Sequence, residues 1–149
     1  MTNQKEIDPI GEIWLIYYPL SCVDGKDYKL LFDSEIDKWN KNDSIFTNRI
    51  LNKRNLIFIV QTTEGKYFSI LVFNKMAIGK IETSCSIFAD DENNIYRFHS
   101  KKVKKNFTLF PSSADELFIV GKEDIVIKKK EFSNQCYCNQ SSSFAYIKH

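Results

Sequence analysis

Two apolar runs, Leu56-Ile-Phe-Ile-Val60 and Tyr67-Phe-Ser-Ile-Leu-Val-Phe73, lie on either side of Thr63-Glu-Gly65-Lys66 and constrain this chain more than any other feature. Each run is too short for a typical helix and is rich in β-branched and aromatic residues. Polar residues flank them, and the glycine-containing connection supplies turn chemistry. Together they read as a β-hairpin buried on at least one side.

The same reading extends along the chain. Ile95-Tyr-Arg-Phe98 alternates apolar and polar, as a half-buried strand does. Phe107-Thr-Leu-Phe110 is another strand, stopped by Pro111. Glu116-Leu-Phe-Ile-Val120 and Asp124-Ile-Val-Ile127 are two more, joined around Gly121. Residues 27 to 33 read as a short strand running into a turn. Ser34, with Asp37 three residues on and Trp39 beyond, reads as the N-cap of a brief helix. A second start at Asp43 or Ser44 leads a helix whose apolar face is Ile45, Phe46, Ile50 and Leu51, ended by Asn52-Lys53. Met76 to Ile81 is open between strand and loop, and Ala89 to Asn94 reads as an exposed turn. The stretch from Ser133 to Ser143 is polar, with a last apolar piece at Phe144 to Ile147. The count is seven or eight short strands with one or two helices grouped early. Hairpin-length links require antiparallel pairing, so the fold class is α+β and mainly antiparallel. At 149 residues the chain is one domain long.

Composition narrows the function. With 21 basic against 19 acidic side chains the net charge is +2, and arginine occurs only at Arg49, Arg54 and Arg97. That balance gives no reason to expect nucleic acid or an anionic membrane as the main ligand. The apolar stretch Ile13 to Leu20 is too short to span a membrane, and no secretory signal is recognisable, so a cytoplasmic location is expected. Cys22, Cys85, Cys136 and Cys138 then sit in a reducing compartment as thiols. His99 and His149 are the only histidines, which leaves little for a nucleophile–base pair. The Cys136-Tyr-Cys138 spacing is not that of a structural zinc site, and Asp90-Asp91-Glu92 lacks the ligand alternation of a calcium loop. No catalytic residue, metal or cofactor is expected. Lys101, Lys102, Lys104 and Lys105, and also Lys128 to Lys130, read as solvated turns or edge protection. The first group is the candidate surface for a partner. Two rivals stay open: a thiol-based, peroxide-protective enzyme using Cys136 and Cys138, and a scaffold that only oligomerises.

The order of elements resembles the TLDc domain family. Leu30-Leu-Phe-Asp-Ser34 followed by Asp37 is similar to the family's opening "LLY-S-x-x-D-G" stretch. A helix through Phe46, the strand Leu56 to Val60 and Gly65-Lys66-Tyr67-Phe68 follow in the family's order. Ile95 to Phe98 resembles its "F-L-F" strand, Glu123 to Ile127 its "D-L-x-I" strand, and Ser141-Ser-Ser-Phe144 its serine-rich segment. Lys38 stands where the family has a glycine after the aspartate, and Ser69-Ile70 where it has a glycine pair. The sequence stops about where the family adds its final strands, which would leave a sheet edge open. The resemblance assigns residues 27 to 149 to the domain and residues 1 to 26 to an extension. It implies a β-sandwich with helices at its periphery, acting by binding a protein: a subunit of the vacuolar-type proton pump or a small-GTPase system. A part in the oxidative-stress response is also implied.

Overall fold

A computed structural model describes residues 28–82, 85–91, 94–100, 107–138 and 144–148. The hairpin that dominates the sequence is the first sheet structure among them. Strands β1 (Leu56–Gln61) and β2 (Tyr67–Val72) pair antiparallel in unbroken register from Leu56↔Val72 to Gln61↔Tyr67. Gly65 closes the turn with φ of +86°, a conformation that side chains with a Cβ rarely adopt, and its N–H donates to the Thr62 carbonyl.

From there the chain changes sheets four times. It crosses to β3 (Gly79–Ile81), returns for β4 (Cys85–Asp91) and β5 (Asn94–Ser100), and crosses again for β6 (Phe107–Leu109), β7 (Glu116–Val120), β8 (Ile125–Lys128) and β9 (Tyr137–Cys138). β10 (Phe144–Lys148) then pairs with β5 in the first sheet. Among the described residues the result is two five-stranded sheets, ordered β1-β2-β4-β5-β10 and β3-β6-β7-β8-β9, with every strand ladder antiparallel.

Strand alternation explains how the sheets meet. Leu56, Phe58, Ile70, Val72, Cys85 and Ile87 line the inner face of the first sheet. Phe107, Leu109, Phe118, Val120 and Ile125 answer from the second, and all belong to one buried cluster. The aromatic rings bridge the layers: Phe58 lies 5.4 Å from Phe107 and 5.0 Å from Phe118, centroid to centroid. The one α-helix among the described residues, α1 (Phe46–Ile50), adds Phe46 to this stack at 5.8 Å from Phe118. The fold is therefore an α+β, mainly antiparallel sandwich with a short helix at its margin. Leu71 and Phe88, on the opposite face of the first sheet, are also fully buried and pack with Ile57, Tyr67 and Phe73. At that point the sheet is covered on both faces.

Several sequence expectations need correction. Residues 28 to 33 form no strand; the adjacent Leu31 and Phe32 both pack on the core, which strand alternation forbids. The helix expected from Ser34 is a single turn. Asp33 organises it, accepting the N–H groups of Ile36 and Asp37 on its carbonyl and that of Glu35 on its carboxylate. The Trp39 indole N–H then takes the Ser34 carbonyl, the group a second helical turn would use. The acidic turn is tighter than expected, because Asp90 and Asp91 stay in β4 opposite Ile95 and Asn94. β3, β4 and β9 are strands that periodicity left open or unread. The second helix does form, shortened to one turn and a half, with Asn52 in the left-handed region just beyond it.

The aromatic stack makes a checkable demand. Phe118→Ala removes the ring that touches Phe46, Phe58 and Phe107, and urea denaturation should show a loss of about 3–5 kcal/mol. Replacing the exposed Ile36 by Ala should stay within about 0.5 kcal/mol of the parent.

Candidate interaction surface

The segment 28–41 is the longest described stretch without regular structure, and much of the large apolar surface is on it. Ile36 is 77% exposed, Tyr28 56% and Leu30 45%. An irregular segment that carries such side chains would ordinarily fold back or stay loose, so what holds this one matters.

Three sets of bonds fix it. Within the loop, Asp37 Oδ2 accepts the Asp33 N–H at 2.8 Å, and the Trp39 ring is tied to Ser34. Toward α1, the Arg49 guanidinium donates to the Leu31 carbonyl at 2.9 Å, and its charge lies 3.9 Å from Asp37. Toward the second sheet, both Glu131 carboxylate oxygens accept the Lys41 N–H at 3.0 Å, and the Lys130 N–H donates to the Trp39 carbonyl. The Lys41 ammonium pairs with Asp115 at 2.8 Å and lies 6.0 Å from the centre of the Phe132 ring. That pairing holds the Asp115 carboxyl below the ordinary carboxylate range and raises Lys41 above the ordinary lysine range.

Lys129 anchors the same junction from inside. Ile125 and Ile127 face the core, and the two-residue period of β8 carries Lys129 onto that face, where it is fully buried. Its ammonium donates to the carbonyls of Ser112 and Ala114, and its backbone N–H to that of Asp115. The loop after β6 is thus wrapped around a lysine. Burial pushes the amine below its ordinary value, against the pull of Asp115 and Glu131. This corrects the sequence expectation that Lys128 to Lys130 form a solvated run. The signal was present: continuing the alternation of Ile125 and Ile127 places residue 129 inward.

Between this junction and the loop lies a shallow polar cleft of about 220 Å³, lined by Ser34 to Asn40 and Lys130. Its charged side chains are Glu35, Asp37, Lys38 and Lys130, with Ile36 and Trp39 as the apolar part. It is an open cleft rather than an enclosed chamber that excludes water.

Of the residues singled out by sequence, the described cysteines lie elsewhere. Cys85 is in the core on β4, where desolvation pushes its thiol up to about 12, so it carries no thiolate at neutral pH. Cys136 is half-buried just before β9, and its sulfur accepts the Lys128 N–H at 3.1 Å. Cys138 pairs in register with Ile125 through the backbone of β9. His99 occupies a backbone position in β5 between Ser86 and Ala145. The side chains of Cys138 and His99, and all of Cys22, Lys101, Lys102, Lys104, Lys105 and His149, lie outside the described residues, as does the extension 1–26. Among the described residues no three metal-ligating side chains gather, and no helix is long and apolar enough to cross a membrane. No family model matches the chain, and no curated protein or solved structure matches it.

The buried lysine sets a pH dependence. An amine whose folded value is depressed binds its proton more tightly in the unfolded chain. Stability therefore rises with pH between the folded value and the ordinary lysine value of about 10.4, and is level above it. Urea titrations of wild type and Lys129→Met across that range should show the rise in the first and its loss in the second. Lys129→Ala, which leaves two carbonyls unpartnered, should lose about 2–4 kcal/mol at neutral pH.

Proposed function

We propose that this chain is a non-catalytic, TLDc-like protein-interaction module whose contact surface is the loop 28–41. The observation that carries the reading is the combination of an exposed Ile36, with Tyr28 and Leu30, on a loop fixed by bonds to α1 and to the second sheet. Apolar side chains held out on a rigid loop bind with little ordering cost, which suits recognition of another protein surface. Glu35, Lys38 and Lys130 around them supply a mixed-charge rim of the kind that sets orientation.

The resemblance supports the same stretch. Leu30-Leu-Phe-Asp-Ser34 and Asp37, the residues most like the family's opening motif, are those that build the loop. By that resemblance the partner is a soluble subunit of the vacuolar-type proton pump, in a cytoplasmic setting linked to oxidative stress. The thiol-enzyme rival rests on Cys136 and Cys138; unchanged peroxide survival with both replaced by serine removes it.

The test is affinity purification of the tagged chain from its own cells, wild type beside Ile36→Asp. Pump subunits should be enriched with wild type and fall at least tenfold with the variant, while both proteins melt alike. Equal recovery with the two proteins, or background recovery with wild type, would overturn the surface or the partner respectively.

A further inference from the structure

The edge of the first sheet at β1 invites a different contact, independent of the loop. Edge strands in native proteins are blunted by brevity, charge, proline or a bulge. Among the described residues, β3 and β9 are edges of three and two residues, and β10 carries Lys148. β1 has none of these devices. Its six residues, Leu-Ile-Phe-Ile-Val-Gln, contain no charge and no proline, its register with β2 is unbroken, and among the described residues β2 is its single strand neighbour.

The hairpin fixes which backbone groups that edge offers. Its turn closes on Thr62, whose N–H donates to the Lys66 carbonyl at 2.7 Å. Hydrogen-bonded pairs recur every second residue, so Val60, Phe58 and Leu56 bond to β2. The alternation breaks only at Asn55, which takes a left-handed conformation as the strand begins. The N–H and C=O groups of Ile57, Ile59 and Gln61 therefore point outward, away from β2.

We propose that β1 pairs antiparallel with β1 of a second copy of this chain, Ile59 opposite Ile59, joining the two sheets into one of ten strands. This register uses all three outward residues, with each Ile57 facing the other copy's Gln61. Equal parity keeps the inner faces on one side, so Phe58 of each copy meets Val60 of the other and the two cores become continuous. The charges at the strand ends agree. Arg54 and Glu64 are both exposed and lie equally far from Ile59 in opposite directions. Beyond the paired strands, the same register sets the segment that carries Arg54 of each copy beside the hairpin turn that carries Glu64 of the other, twice by symmetry, so opposite charges approach at both ends of an uncharged strand.

Light scattering on the full chain across micromolar concentrations tests this, with thermal melting as the control for folding. Wild type should be a dimer. Ile59→Pro removes a donor that β2 does not use and should give a monomer that still melts cooperatively. Should that variant fail to fold, the charge exchange decides. Arg54→Glu alone and Glu64→Arg alone should each weaken dimerisation at least fivefold, and the two together should restore it. A wild-type monomer, or a dimer indifferent to the single exchanges, overturns the proposal, as does a double variant as weak as the singles.

Discussion

The contact on which the rest of this structure depends is the aromatic stack between the sheets. Phe58 comes from the first sheet, Phe107 and Phe118 from the second, and Phe46 from α1. Phe107 and Phe118 lie nearly parallel, 5.4 Å apart. Rings of this size fill the space between sheets without polar atoms that would need partners. Because Phe46 joins the stack, α1 has one place to sit, and Phe32 follows it through an edge-on contact at 5.1 Å. The core thereby fixes one end of the irregular segment 28–41 independently of its surface bonds.

The other end is fixed by charge. Lys129 is driven inward by strand alternation and satisfied by carbonyls, and that orders the loop carrying Asp115. Asp115 in turn receives Lys41, while Glu131 receives the Lys41 backbone. An exposed ion pair such as Lys41–Asp115 contributes little alone. Its role follows from its position, since it closes a chain of contacts that begins at a buried cation. Core packing and a buried lysine together turn an unstructured segment into a shaped surface.

How much of this the sequence revealed depends on where one physical rule acted alone. The β1–β2 hairpin was legible because continuous apolar runs and a glycine turn point the same way. β4 was not: Ser86 interrupts its apolar pattern, and both faces of the strand are buried, so period-two alternation is absent. The one-turn helix at Ser34 misled because Asp33, one residue earlier, captured the amides with its own carbonyl and carboxylate. Lys129 was hidden by its neighbours, as a lysine between two lysines reads as solvated until strand parity is followed through it. Within the candidate surface, Asp37 and Trp39 were legible as structural residues. The exposure of Ile36 was not, since an apolar residue in a short helix would be expected to turn inward.

The central claim is that the loop 28–41 is held rigid, and amide hydrogen exchange of the native protein tests it most directly. The amides of Asp33, Asp37, Lys41 and Ile45 all have partners, respectively Asp37, Asp33, Glu131 and Lys38. They should exchange far more slowly than an open chain, approaching the strands they are tied to. Exchange at open-chain rates across these residues, with the sheets still protected, would contradict the account.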